Sequence, residues 1–293
     1  MKILLTGATG FLGSHLANML VEAGYEVHVL IRQSSSLDRI KDIASDLFFY
    51  YAEDGLEKVF YTNKDFIAII HAATCYGRNN ENNFEVFDSN VRLPIELMQQ
   101  GVANKVPLFV NTDSFFNSEK NECDYLGGYV LSKKHIYEWG KMYAKENKIK
   151  FCNVKLEHMY GPNEGSEKFT SYIIKSCLNN VPVIKLTPGE QKRDFIYISD
   201  VVSAYKTLLE SNNLPYFEDL ELGSGQAVSI KDFVLTVHKK ANSKSKLDFT
   251  AIEYRNNEIM HSQADNRKLF QYGWKPLVSL EDGIDEMLKS KIE

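Results

Sequence analysis

Residues 2–13 read Lys2-Ile3-Leu4-Leu5-Thr6-Gly7-Ala8-Thr9-Gly10-Phe11-Leu12-Gly13. Lys2 to Thr6 is a short apolar run of the kind shown by a strand buried on both faces. Phe11, Leu12, Leu16, Met19, Leu20 and Ala23 then recur at helical spacing, and Gly24 stands where a helix ends in the left-handed conformation. Val27 to Ile31 is a second strand-like run. Strand, glycine turn, amphipathic helix and strand together make the unit of a parallel sheet. In that context Gly7 permits a tight turn out of the strand. Gly10 lets backbone approach a pyrophosphate, Gly13 lets helix and strand pack closely, and the helix N-terminus favours the phosphates. Thr9, Phe11 and Leu12 belong to the same cofactor-binding turn. The bland alternative is a glycine-rich turn with no ligand.

The end of the second strand bears on which dinucleotide binds. An acid there suits the ribose 2′-hydroxyl of NAD(H), whereas arginine suits the 2′-phosphate of NADP(H). The chain continues Arg32-Gln33-Ser34-Ser35-Ser36, with no acid before Asp38. Arg32 with serine hydroxyls behind it fits a phosphate, so NADP(H) is preferred and NAD(H) remains open. The alternative is a solvated loop arginine.

The whole chain is consistent with this start. It has 293 residues, 44% hydrophobic and 25% charged, with net charge −5, which is ordinary for a soluble protein. An acidic balance argues against a nucleic-acid-binding surface. No apolar run approaches a membrane span, and the first residues lack a signal-peptide pattern, so a cytoplasmic protein is expected. Cys75, Cys123, Cys152 and Cys177 are widely spaced and form no CxxC, so no metal site is expected.

Strands and helices keep alternating. Leu47–Ala52 and Phe66–Ile70 read as strands, the second followed by His71-Ala72-Ala73, whose small residues let a cofactor lie against backbone. His71 packs at the strand end or acts as a base. Asn90 opens a helical stretch, Val91–Gln100, and contacts backbone or cofactor. Val106–Asn111 reads as a fifth strand, with Thr112-Asp113-Ser114 at its C-terminal edge, where open α/β sheets place ligands. Tyr129 and Lys133 follow at i and i+4, on one helix face. A nearby ammonium favours the phenolate, so Lys133 is expected to pull the Tyr129 pKa down from about 10 toward working pH. Thr112 is expected to hydrogen-bond the same substrate oxygen. Alone, this spacing equally describes a surface tyrosine and a solvated lysine.

Thr6–Gly13, His71-Ala72-Ala73, Thr112, Tyr129/Lys133, Tyr160-Gly161-Pro162 and Arg193–Asp200 (RDFIYISD), with the tail Tyr272–Pro276, together resemble the extended short-chain dehydrogenase/reductase family. Within it they resemble the nucleotide-sugar epimerases, dehydratases and 4-ketoreductases, and most of all the CDP-abequose and CDP-paratose synthase type. The resemblance implies a Rossmann-like doubly wound parallel sheet over residues 1–160. It implies a smaller α/β substrate-binding portion over 161–293, with about 194–225 returning to the main sheet. It implies Tyr129, Lys133 and Thr112 as catalytic residues. Gly7, Gly10, Gly13, Asp54, Ala72, Ala73 and Asn90 would face the cofactor. Asp113, Ser114, His158, Arg193 and Arg255 would face a nucleotide-diphosphate sugar, the two arginines on its diphosphate. Each arginine has the alternative of an ion pair, His158 that of packing under its loop, and Phe115/Phe116 that of core. A homodimer through Phe84–Gln100 and Tyr129–Lys148 is also implied.

The departures narrow the reaction. Ser114 replaces the glutamate of the dehydratases, which disfavours 4,6-dehydration. Ile31 stands where many 4-epimerases carry an acid. The reading is therefore a 4-ketoreductase of a nucleotide-activated deoxysugar. A 4-epimerase using the same residues, or a non-catalytic NADP-binding regulator, are the alternatives.

Overall fold

The computed structural model describes residues 1–78, 80–117 and 126–290. Its elements in chain order are β1 (Lys2–Thr6), α1 (Phe11–Glu22), β2 (Glu26–Ile31), β3 (Leu47–Tyr51), α2 (Glu57–Thr62), β4 (Phe66–His71), α3 (Asn83–Phe87), α4 (Leu93–Ala103), β5 (Leu108–Ser114), α5 (Gly127–Lys145), β6 (Lys150–Leu156), β7 (His158–Tyr160), α6 (Phe169–Leu178), β8 (Val183–Lys185), β9 (Lys192–Tyr197), α7 (Ile198–Glu210), β10 (Phe217–Leu222), β11 (Ala227–Ser229), α8 (Ile230–Lys240), β12 (Lys246–Asp248), α9 (Arg267–Gln271) and α10 (Leu280–Lys289).

Two compact units result. The first takes the described residues of Met1–Ser118, Tyr125–Leu156 and Val202–Leu220. Its sheet has the order β10-β6-β5-β4-β1-β2-β3. The strands run parallel, as the apolar runs require: Ile3, Leu4, Leu5, Ile69, Ile70, Phe109 and Val110 are all fully buried. Strand order reverses between β1 and β4, the switch point at which such sheets open a crevice. Register aligns Thr6 with His71 and His71 with Asn111. The chain therefore leaves β1, β4 and β5 at one edge of the sheet.

Two local differences from the sequence reading have clear causes. The fifth strand begins at Leu108 and runs through Thr112 and Asp113 to Ser114, because all seven residues pair with β6. The helical stretch begins at Asn83, with a wide π turn over Asp88–Arg92 before α4. Pro94 lacks the N–H that would bond the Asn90 carbonyl, and a wide turn just before it relieves that break.

The second unit takes the described residues of Glu157–Val201 and Glu221–Glu293. It holds a three-stranded sheet, β11-β9-β7, and a two-stranded one, β12-β8. Its core centres on Tyr160, Ile173, Phe195, Phe233, Val237 and Met287. Gly283 of α10 leaves no room for a side chain, since a Cβ would lie 2.1 Å from the Tyr160 hydroxyl. The tail is tied down by Trp274, whose Nε1 donates to the Asp200 carbonyl at 3.1 Å, and by the Val278 N–H, which donates to the Asp200 carboxylate at 2.9 Å.

Candidate active site

The turn after β1 separates the three glycines by cause. Gly7 has φ +74°, and a Cβ there would lie 2.5 Å from the Ala73 nitrogen. A Cβ on Gly13 would lie 2.0 Å from the Gly7 carbonyl oxygen. Packing explains both. Gly10 is exposed, with ordinary φ −80°, and a Cβ there would meet only the Gly7 oxygen, at 3.2 Å. Its lack of a side chain leaves a clear approach to the first turn of α1. Among the described residues that turn has no side-chain cap and no acid, so its N–H groups face outward with the positive end of the helix dipole. Gly10, Phe11, Leu12 and Gly13 thus form a cradle that fits a dinucleotide pyrophosphate. Arg39 Nη1 donates to the Thr9 carbonyl at 3.4 Å and adds a cation to this turn.

Around the turn, Thr6 Oγ1 meets His71 Nδ1 at 2.9 Å and accepts from the Ala73 N–H at 3.2 Å. Burial lowers the His71 pKa to about 3, so the imidazole is neutral and packs at the strand end. The Asn90 side chain is occupied by protein. It donates to the Cys75 carbonyl at 2.7 Å and Ser132 Oγ at 2.9 Å, and accepts from the Cys75 N–H at 2.8 Å. It holds the loop after β4 against α5. At the end of β2, Arg32 is exposed and its N–H donates to Ser35 Oγ at 3.2 Å. Folding also brings an acid here that the local sequence lacks: Glu53 accepts from the Gln33 N–H at 3.2 Å. Asp54 pairs with Lys58 at 2.9 Å on the surface.

The ends of β5 and α5 bring the polar set together. Tyr129 and Lys133 are both buried on α5. Lys133 Nζ donates to the Thr112 carbonyl at 2.7 Å and lies 5.7 Å from the centre of the Tyr129 ring. The Ser114 side chain hydrogen-bonds the phenol. Tyr76 and Phe116 flank the ring, with centroids at 4.9 and 6.5 Å. The Thr112 hydroxyl lies 2.7 Å from the Tyr205 hydroxyl, either of which can donate. Asp113 is buried. Its carboxylate accepts from Asn117 at 2.7 Å, Asn153 at 2.8 Å and the Ser114 N–H at 2.8 Å.

The expected depression of the Tyr129 pKa is corrected. Burial, and then Tyr76, push the phenol well above its ordinary value, against the Ser114 hydrogen bond. Desolvating a phenolate outweighs the attraction of an ammonium that is turned toward a backbone carbonyl. Lys133 is itself lowered to about 8 by burial, with the Asp113 charge opposing. At neutral pH the tyrosine is therefore a neutral proton donor beside a charged lysine.

In the second unit, His158 Nδ1 lies 3.4 Å from Glu157 Oε2, and Glu157 Oε1 accepts from Ser262 Oγ at 2.6 Å. Arg193 is buried, donates from Nη1 to the Lys192 carbonyl at 2.9 Å, and pairs through Nη2 with the Glu258 carboxylate. Arg255 is exposed. Among the described residues there is no group of three His, Cys, Asp or Glu side chains able to hold a metal ion.

The profile of the NAD dependent epimerase/dehydratase family matches residues 3–223. The chain belongs to that family. It is 37% identical over 296 residues to a CDP-abequose synthase of Salmonella typhimurium, covering 98% of this chain and 97% of the relative. It is 38% identical over 292 residues to that of Salmonella muenchen, covering 99% and 98%. Among solved structures, a UDP-glucose 4-epimerase of Thermotoga maritima with UDP-glucose superposes with TM-score 0.87 at 20% identity, covering 100% of this chain and 99% of the other. Among the described residues, no helix of this family member is long and apolar enough to cross a membrane.

An NAD(P) dinucleotide is the cofactor of the epimerase/dehydratase family, and the cradle at Gly10 fits it. Tyr76, Arg39, Glu53 and Tyr205 join the site only through folding. Tyr76 follows an unpatterned loop, and Tyr205 reaches Thr112 from α7, 93 residues away in sequence. Neither has a local sequence signal.

Proposed function

We propose that this enzyme reduces the 4-keto group of a nucleotide-activated deoxysugar, with NADPH as the preferred reductant. The observation that carries the reading is the buried Tyr129 phenol with buried Lys133 one turn on, its Nζ 5.7 Å from the centre of the ring. A ketone accepting hydride develops negative charge on oxygen, and a neutral phenol in that position supplies the proton. The nicotinamide supplies the hydride when bound. Tyr129 donates its proton to the sugar oxygen, Ser114 orients the phenol, and the Lys133 charge stabilises the oxygen as it develops. Thr112 assists through its carbonyl, which fixes Lys133. Arg193 and Arg255 bind the diphosphate and His158 the sugar. Exposed Arg32 and Arg39 suit the 2′-phosphate of NADPH, whereas Glu53 on the Gln33 N–H suits the ribose hydroxyls of NADH, so the assay compares both reductants.

The match to CDP-abequose synthases supports a CDP-deoxysugar as substrate. Ser114 in place of the dehydratase glutamate supports reduction over dehydration. The same reading includes a homodimer: Phe84 and Phe87 of α3 and Leu131, Trp139 and Met142 of α5 are exposed apolar side chains, which a second copy would cover.

The test is oxidation of NADPH and of NADH with a panel of 4-keto nucleotide sugars, with the product configuration read by NMR. One NADPH consumed per product, and loss of at least a hundredfold in kcat for Tyr129→Phe with NADPH affinity kept, is the expected result. Epimer formation with no net cofactor consumption would give the reaction to an epimerase instead.

A further inference from the structure

A chain of buried polar side chains ends on Asp113, at the C-terminal end of β5. Lys155 Nζ donates to Asp219 Oδ2 at 2.8 Å, on β6 and β10. Asn153 Nδ2 then donates both to Asp219 Oδ1 at 2.9 Å and to Asp113 Oδ2 at 2.8 Å. Asn153 Oδ1 accepts from Asn111 Nδ2 at 2.7 Å, so this amide is held at both ends. Asn111, Asp113 and Asn153 are all buried. A buried network whose members satisfy one another is rigid.

The free end of this network holds the turn that follows β5. Asp113 Oδ1 accepts from the Ser114 N–H at 2.8 Å, and Oδ2 accepts from Asn117 Nδ2 at 2.7 Å. Asp113 thus fixes the first residue of the turn by its backbone and the last by its side chain. The Asn117 N–H closes the turn on the Ser114 carbonyl at 2.8 Å, and the Phe115 N–H ties it to the Leu156 carbonyl at 3.1 Å. Ser114 Oγ accepts from the Phe116 N–H at 3.3 Å and meets the Tyr129 phenol. With Asn117, Asn153 and Ser114 as donors, most of the ~four lone-pair sites of a carboxylate are taken up within the chain. We infer that Asp113 is a positioning residue, which clamps the turn from Ser114 to Asn117 so that Ser114 Oγ stays on the Tyr129 phenol, and which does not itself touch the sugar. This inference rests on the reading of Tyr129 as the proton donor. A loosened turn slows the chemical step and leaves substrate binding nearly as it was, so the effect falls on kcat rather than KM. Because it is exerted through Ser114, it disappears once Ser114 is truncated.

The experiment is a double-mutant cycle on the full-length chain, with kcat and KM measured on the accepted sugar nucleotide and Tm measured for each variant. The variants are Asp113→Asn, Asn117→Ala and Ser114→Ala, each of the first two also combined with the third. Asp113→Asn should lower kcat about ten- to thirtyfold with KM within about twofold of wild type. Asn117→Ala, which removes one of the three bonds, should lower kcat about threefold. Each double variant should have a kcat within about twofold of Ser114→Ala alone. Losses that multiply in the double variants would overturn the clamp. A tenfold rise in KM for Asp113→Asn would overturn it by making Asp113 a sugar ligand. A lower Tm with unchanged kcat would overturn it by leaving Asp113 a merely structural role. Should Asp113→Asn not fold, Asn117→Ala decides by the same comparison: a loss that Ser114→Ala absorbs supports the inference, and an unchanged kcat or a multiplied loss overturns it. Near-normal kcat in Tyr129→Phe would overturn the proton-donor reading itself, which is a separate outcome.

Discussion

Replacing Gly10 or Gly13 by alanine separates ligand binding from folding within one turn of chain. At Gly13 the new Cβ would sit 2.0 Å from the Gly7 oxygen and 2.5 Å from its carbonyl carbon. Both are backbone atoms, so helix and strand must move apart by more than an ångström. Overpacking of that kind costs about 1–3 kcal/mol or more. For a unit of this size each kcal/mol lowers Tm by about 2–4 °C. At Gly10 the Cβ meets only the Gly7 oxygen, at 3.2 Å, with φ −80°. Alanine gains ~0.4–1 kcal/mol by restricting the unfolded chain and loses up to ~1 kcal/mol as a poorer helix N-cap. These nearly cancel. The penalty falls on the ligand, because the methyl group stands between the helix N–H groups and the pyrophosphate. Losing two charge-assisted hydrogen bonds, at ~1.5–3 kcal/mol each, weakens binding by roughly a hundred- to ten-thousandfold. Scanning calorimetry and fluorescence titration with NADPH on both variants test this. Gly10→Ala should melt within a few degrees of wild type and bind NADPH poorly, whereas Gly13→Ala should melt markedly lower. A Gly10→Ala variant with wild-type NADPH affinity, or one as destabilised as Gly13→Ala, would refute the assignment of the cradle.

Three further outcomes follow from the same geometry. Lys133, lowered to about 8, is charged below that pH and neutral above it. The kcat/KM for reduction should therefore fall as pH rises through about 8, and Lys133→Arg should flatten that limb while slowing the rate. Ser114→Ala should lower kcat about ten- to a hundredfold by removing the hydrogen bond to the phenol. Thr112→Val should instead act chiefly on stability, because its hydroxyl serves Tyr205; equal kcat losses in the two variants would contradict this division. Leu131→Glu with Trp139→Glu should give a monomer by light scattering if α5 lies in a dimer interface. A dimer unaffected by both charges would place the interface elsewhere.

The parallel sheet was legible because its strands are continuous apolar runs and its first turn carries glycines at fixed offsets. Those signals are local, and so were Tyr129 and Lys133 at one-turn spacing. The charge state of Tyr129 was not legible. It depends on how completely the phenol is buried and on Tyr76, which approaches from a loop more than fifty residues earlier. Sequence spacing brought an ammonium near the ring but left open the direction in which its Nζ turns. The division of labour between Thr112 and Ser114 was hidden for a similar reason. Alternate residues of a strand share a face, so Thr112 and Ser114 are equivalent by period, and only Tyr205 on α7 distinguishes them. Glu53 and Glu258 illustrate a third limit: each is unremarkable in its own segment and acquires meaning from the backbone or guanidinium it meets.

The position of β10 bears on how the protein emerges during synthesis. β6 lies between β5 and β10, with the Phe151 N–H donating to the Tyr216 carbonyl and the Glu157 N–H to the Leu222 carbonyl. Residues 157–216 separate β6 from its outer neighbour along the chain. A nascent chain that has released β6 from the ribosome thus carries one open strand edge until the later segment arrives. Such an edge invites pairing with other chains. Fragments ending anywhere between β6 and β10 should be far more prone to self-association than the complete protein.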